Sequence, residues 1–351
     1  MEITPVVLKD VLYDMQLRTF YCSQTPLYLM ENTVFSTAIP DISDIFDTYH
    51  IERPTVIMNY LHSCIGHAYV DITIPQLSTL YEYSPETLSK QGFQLFVLKD
   101  CFQESTTDTQ LIEFLNRWEK YTVDFENGTY KGPYSHFHRC ISDTPILFEK
   151  VFTKSRYIKF DTILYGGNME FQRAIHNSAA KYPGRKLHPV ASDIQIGGWI
   201  SNAKEVFGKY IGIQAKTPGV SATILIDRKG GTRSFTRQAL NKLSCIADTE
   251  PVYLEEYSFK EQIQMFKDAN IIISAHGSGL CHLLWSNPGT HIIEIFAADD
   301  SRKGIFQSFS EFLGLTYTRI ECSNLKKTTD EPIEISDENL AVIKSLLSAS
   351  A

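Results

Sequence analysis

The feature that most limits what this chain can fold into is the rhythm of its second half. ATILID (222–227), PVYLEE (251–256), NIIISA (270–275), THIIEIF (290–296) and LTYTRI (315–320) are short runs rich in β-branched residues. Between them lie amphipathic stretches that read as helices over Thr236–Ile246 and Phe259–Ala269 and as helices starting at Gly277 and Gly304. Runs that are apolar on both faces suit strands covered on two sides, and the intervening helices supply that cover. The pattern predicts an α/β fold with a doubly wound parallel sheet. A last amphipathic helix, Asp337–Ser348, can pack back on either domain, the N-terminal one included.

Upstream, a helical pattern over Ile196–Ile213 is broken by AKTPGVSA, with Pro218 and Gly219. That break divides the 351 residues into domains at 1–214 and 215–351, each long enough to bury its own core. In the first half PTVIMN (54–59) and FQLFVL (93–98) read as buried strands, and Ala68–Tyr81 and Thr109–Tyr121 as helices. DFENGTYKGPYSHFHRC (124–140) is a surface connection or a loop that meets an acceptor, and KYPGRKLHP (181–189) is an exposed basic loop.

Composition removes several classes. Hydrophobic residues at 43% and charged residues at 21% exclude a disordered tail or a membrane channel. With 33 basic and 41 acidic residues the net charge is -8, so no overall field draws the chain to nucleic acid or anionic lipid. Any polyanion has to meet a local patch. Lys9, Asp10, Asp14 and Arg18 interrupt the opening residues, leaving no signal-peptide core, and no stretch has the length of a membrane span. The seven cysteines show no zinc-ligand spacing and read as reduced thiols, which points to a cytoplasmic location. Aromatic residues at 12% serve either thick cores or platforms for a flat ligand, with Tyr130, Tyr134 and Phe137 the first places to look for sugar stacking.

In an open parallel sheet, ligands bind beyond the carboxyl ends of the strands. After the first strand come Arg228 and Arg233, whose forked donors match phosphate oxygens. After the third come His276, Gly277, Ser278 and Gly279, glycines opening the start of a helix with backbone N–H groups that suit a phosphate. At the end of the fourth, Glu294 can accept hydrogen bonds from ribose hydroxyls. Together they describe a nucleoside diphosphate site. The third glycine of a dinucleotide fingerprint is replaced by His282 and no Walker motif exists, which disfavours NAD and ATP enzymes. His276 and His282 suit donor or capping roles better than a metal, and the alternative for the two arginines is surface ion pairing.

These residues also form an ordered set that resembles glycosyltransferase family 61, which includes plant xylosyl- and arabinosyltransferases and animal O-GlcNAc transferases. Arg228 and Arg233 are spaced R-x-x-x-x-R; Ser258–Ile263 and Phe266 follow, then Ala275–Leu280, Asn287–Thr290, Glu294 and Ile295. Gly66–Asp71 with Pro75 resembles the family's upstream H-x-x-x-D segment. One departure is Thr236, where members carry asparagine, which bears on the helix start.

The resemblance implies a GT-B arrangement, two Rossmann-like domains facing each other across a cleft. Residues 1–214 would bind a glycan or glycoprotein acceptor and 215–351 the nucleotide-sugar. It further implies inverting transfer from a UDP-sugar, xylose first and N-acetylglucosamine second, without an obligatory cofactor or metal. Asp71 or His67, four apart on a predicted helix start, would be the base, and the alternative is a capping or core-polar pair. A non-catalytic glycan- or nucleotide-binding module on the same scaffold is the reading from a different class. Bacterial and large-DNA-virus members working from the cytoplasm are the nearest pattern, although a chain without its membrane anchor would read the same.

Overall fold

A computed structural model describes residues 6–24, 34–42, 48–58, 74–98, 139–144, 147–149, 152, 155–165, 193–216, 222–229, 233–297, 305–322 and 332–350. The chain divides into two compact units, one formed by 1–174 and 181–210 and the other by 175–180 and 211–351.

The first unit carries strands β1 (Val6–Asp14), β2 (Thr19–Tyr21), β3 (Val34–Ser36), β4 (Thr48–Ile51) and β5 (Thr55–Met58), then helices α1 (Ile74–Tyr83) and α2 (Pro85–Ser89). Strands β6 (Gln94–Val97), β7 (Leu147–Phe148) and β8 (Tyr157–Tyr165) follow, and then helix α3 (Asp193–Ile211). They form one sheet in the order β3-β2-β1-β8-β5-β6-β7, with β4 also paired to β8. β1 runs antiparallel to both its neighbours, whereas the remaining pairings are parallel. This sheet is therefore mixed, with one antiparallel strand, β1, set into an otherwise parallel α/β unit.

The reversal has a local cause. Asp14 accepts hydrogen bonds from the amides of Gln16 and Leu17 at 2.9 and 3.0 Å, closing the turn that sends β1 back as β2. Arg156 clamps the other carboxylate oxygen through Nε and Nη2 at 3.0 and 2.7 Å. β4 and β5 line the same edge of β8 and are separated by Pro54, which has no N–H for the ladder. Leu8, Val11, Tyr13, Phe20, Phe96, Ile158, Phe160 and Ile163 fill the core beneath.

In the second unit the strands are β9 (Ala222–Asp227), β10 (Pro251–Tyr253), β11 (Ala269–Ala275), β12 (His291–Ala297) and β13 (Thr316–Cys322). The helices are α4 (Arg237–Ala247), α5 (Phe259–Asp268), α6 (Ile305–Phe312) and α7 (Asp337–Ser350). All five strands are parallel, in the order β10-β9-β11-β12-β13. β11 is central and buried along nearly its whole length, which is why it reads as an unbroken apolar run.

Strand alternation sorts the two faces. Ile271, Ile273, Ile293 and Ile295 join Ala239 and Leu243 of α4 and Leu340 and Ile343 of α7 in one cluster. The terminal helix thus closes the second unit's own core. Thr236, at the family's asparagine position, caps α4 by accepting from the Ala239 amide at 3.1 Å. A 3-10 run, Ser278–Trp285, stands where an α-helix was expected after Gly277. Leu280 through Trp285 are all buried, so every face of that segment is used for packing rather than one stripe. Among the described residues, no helix is long and apolar enough to cross a membrane.

Candidate functional site

The strand order of the second unit places a topological switch point between β9 and β11, since the chain leaves β9 to one side for β10 and returns to the other for β11. Ligands bind at such points, beyond the carboxyl ends of the strands. Two loops meet there, the one that follows Asp227 and the one that follows Ala275.

The first loop is held from below. Asp227 is buried, and its Oδ1 accepts from the Phe235 amide at 3.0 Å, so the loop must return to its own root. Burial raises the Asp227 carboxyl above its ordinary range, with the amides of Phe235 and Arg228 acting against that rise. Arg233 takes up the left-handed region at φ 69° and donates from Nη1 to the His276 carbonyl at 2.9 Å. Lys229 turns the other way: its amide donates to Glu255 at 2.6 Å and its ammonium pairs with Glu256.

Arg228 reaches across to the second loop. A Cβ built on Gly277 would collide with its guanidinium, so a side chain there would displace Arg228 from its present position. Among the described residues no side chain accepts a hydrogen bond from Arg228. The amides of Gly277, Ser278 and Gly279 likewise make no backbone hydrogen bond within the described residues, whereas Leu280 N returns to Gly277 O at 3.0 Å. Arg228 and Arg233 therefore meet the 276–279 loop, a pairing of guanidinium groups with a glycine-containing loop of a kind that can bind an anion. The 3-10 geometry shifts the charge argument from a helix dipole to these side chains and amides.

His276 sits beneath this surface, 7% exposed, between the rings of Phe296 and Phe306 at 4.4 and 5.4 Å. Its Nδ1 is 2.6 Å from Glu294 Oε1, and the Tyr317 hydroxyl donates to Glu294 Oε2 at 2.5 Å. Glu294 is wholly buried, with both oxygens engaged. Its partners in the structure are His276 and Tyr317. Sequence reasoning missed Tyr317, although β13 pairs in register with β12 and its alternate positions face the same side.

Several residues of the motif set turn out to be architectural. Ser258 and Glu261 form a capping box at the start of α5, and Phe259, Ile263 and Phe266 are its buried face. Gln262 donates to the carbonyls of Leu254 and Tyr257 at 2.9 and 3.0 Å, which leaves its Oε1 facing His282 Nε2 at 2.9 Å. Burial between Phe259 and Phe266 pushes His282 down to about 3. Asn287 and Thr290 tie the opposite end of the sheet to Lys267 O and Ala269 O, at 2.6 and 3.1 Å, and Gly289 supplies a left-handed turn between them at φ 86°.

His67 and Asp71, and the aromatic positions 130, 134 and 137, lie outside the described residues. Cys22, Cys140, Cys281 and Cys322 are buried free thiols and Cys245 is an exposed one. Among the described residues no three His, Cys, Asp or Glu side chains gather as a metal site.

Comparison with known proteins gives matches in sequence and in structure. The family model described as Glycosyltransferase 61 matches residues 57–293, more than half of the chain. Beta-1,2-xylosyltransferase of Arabidopsis thaliana is 32% identical over 93 residues, covering 26% of this chain and 17% of that protein. Protein O-linked-mannose beta-1,4-N-acetylglucosaminyltransferase 2 of Tetraodon nigroviridis is 25% identical over 189 residues, covering 52% and 32% respectively. Among solved structures, the glycosyl transferase family 9 protein of Veillonella parvula superposes with a TM-score of 0.34 at 11% identity, covering 85% of this chain and 98% of that one. The chain thus spans less than a third of the length of either curated relative.

Proposed function

The chain belongs to glycosyltransferase family 61, and from that premise we propose that it transfers xylose from a UDP-sugar to a hydroxyl of a glycan or glycoprotein acceptor, with inversion. The observation that carries the reading is the meeting of Arg228, Arg233 and the 276–279 loop at the β9/β11 switch point. The second unit would hold the donor and the first the acceptor.

In the step itself, the acceptor oxygen bonds to the anomeric carbon as that carbon's bond to the β-phosphate oxygen breaks. The hydroxyl proton passes to a base, Asp71 or His67, and UDP departs with the bonding pair. Negative charge therefore grows on the diphosphate. Arg228, Arg233, the open amides and His276 are fixed where they can meet it, a preorganised arrangement that needs no metal. Glu294 acts through His276, as a positioning residue.

Xylose as the donor sugar is supported by the name of the Arabidopsis relative. N-acetylglucosamine is the second reading, supported by the longer match to the Tetraodon protein. The free thiols support a cytoplasmic site of action. A thermal-shift panel tests the nucleotide, because a ligand at a hundred times its Kd stabilises by about 2.7 kcal/mol. UDP should raise the melting temperature where GDP and NAD do not, and slow hydrolysis of UDP-xylose should exceed that of other UDP-sugars. An equal response to all nucleotides, or none, would sink the reading.

A further inference from the structure

The segment PIEIS, residues 332–336, alternates exposed and buried positions as a strand does, and Ile333 and Ile335 join the core cluster of Phe235, Ala239 and Leu243. Ile333 also reaches the arginine loop through its backbone. Its amide donates to the Ser234 carbonyl at 2.7 Å and its carbonyl accepts from the Thr236 amide at 2.9 Å, a parallel bridge opposite Phe235. Between those two bonds, the Phe235 amide donates to Asp227 Oδ1 at 3.0 Å. The Ser234 carbonyl and the Phe235 amide belong to one peptide plane, so that plane is gripped by Ile333 and by Asp227, and the next plane by Ile333 again. The segment is itself anchored. Ser336 Oγ accepts from the Asn339 amide at 3.2 Å at the start of α7, and Asp337 pairs with Lys242 of α4 at 2.7 Å.

We propose that Ile333 is a positioning residue for the diphosphate: by holding Ser234 and Thr236 it fixes Arg233 in the conformation that brings its guanidinium to the 276–279 loop. This rests on the diphosphate reading of the site. Arg233 has φ 69°, a left-handed conformation that a residue with a side chain keeps only where its surroundings hold it. From there Nη1 donates to the His276 carbonyl at 2.9 Å, tying the loop after β9 to the loop after β11. The two gripped peptide planes follow Arg233 directly. Released from Ile333, they turn, Arg233 relaxes to a negative φ, and its guanidinium swings away from the His276 carbonyl. Ile333 lies beyond residues 57–293, so the site draws on a part of the chain outside the family match.

The test joins two readouts on the full chain: calorimetry of UDP binding well below each variant's melting temperature, and hydrogen exchange at Phe235 and Thr236 without nucleotide. Ile333→Pro removes the donor to Ser234 and keeps an apolar residue. It should speed exchange and weaken UDP binding by about tenfold. Ile333→Val keeps both backbone bonds and should restore affinity to within about twofold of the wild type. Pro332→Gly loosens the same segment from an exposed position and serves where Ile333→Pro fails to fold; it should weaken UDP by about threefold. Because Ile333 acts through Arg233, adding Ile333→Pro to Arg233→Ala should weaken UDP no further than Arg233→Ala alone. A merely structural role would lower the melting temperature and leave the UDP affinity of the folded protein unchanged, and that result overturns the proposal. So does a loss that adds in full to that of Arg233→Ala. A wild type that binds no UDP removes the diphosphate reading and the positioning role with it, and exchange still slowed by Ile333 in that protein marks the failure as one of the nucleotide, not of the clamp.

Discussion

The guanidinium of Arg228 occupies the space that a side chain on Gly277 would need. The backbone at Gly277 is extended, with φ 178°, a conformation open to any residue. Its glycine is explained by the neighbour across the loop. Gly277→Ala should therefore fold normally, displace Arg228 and weaken UDP binding by about 10- to 100-fold, the cost of one charged hydrogen bond. Calorimetry alongside a melting curve checks this; a melting temperature lowered with UDP affinity intact would assign the glycine to folding instead.

The capping box of α5 belongs to the scaffold. Ser258 accepts from the Glu261 amide while Glu261 reaches back to the Ser258 amide at 2.7 Å. Ser258→Ala should cost about 1 kcal/mol, read by hydrogen exchange across residues 259–268. UDP affinity should stay within twofold of the wild type, roughly the effect of a remote site.

His282 should make the second unit sensitive to acid. Its folded value is about 3 against an ordinary 6.5, so the unfolded chain binds the proton over that interval and the folded chain does not. Stability is then complete above about pH 6.5 and falls as pH drops toward 3, by up to about 1.4 kcal/mol per pH unit. His282→Gln keeps a donor toward Gln262 and removes the titration. Denaturation profiles of the two proteins should converge as pH falls; parallel profiles would show that His282 does not contribute.

For the base, Asp71→Asn should abolish transfer and leave UDP affinity nearly intact, since the carboxylate is assigned to the acceptor hydroxyl and not to the diphosphate. Radiolabelled transfer assays paired with UDP calorimetry separate the two effects. Turnover retained in Asp71→Asn would move the role to His67.

The second unit was largely legible because its strands are buried on both faces and its helices are amphipathic, so each element announces itself by period. β11 and α5 were read to within a residue of their ends. The strands β1 and β8 of the first unit went unread. Lys9 and Asp14 in one, and Lys159 and Asp161 in the other, break the apolar run. The structure accounts for three of these charges by specific partners: Lys9 donates to Thr162 at 2.8 Å, Asp14 is clamped by Arg156, and Asp161 lies 2.6 Å from His50 Nε2. Such pairings are long-range and leave no local pattern. That Arg228, Arg233 and Gly277–Gly279 follow the carboxyl ends of β9 and β11 was legible, because the strands that precede them are unbroken apolar runs. The partners of Glu294 were not legible, because His276 and Tyr317 lie 18 and 23 positions away and only strand register brings them together.

If the β9/β11 loops hold the diphosphate of a UDP-sugar, Arg228 is the residue whose loss shows it most directly. Its guanidinium is placed on the loop, and no side chain among the described residues takes its hydrogen bonds. UDP binding to wild type and Arg228→Ala, measured side by side by calorimetry, should differ by at least about tenfold, the equivalent of 1.4 kcal/mol, with little change in melting temperature. Equal affinity in the two proteins would contradict the claim.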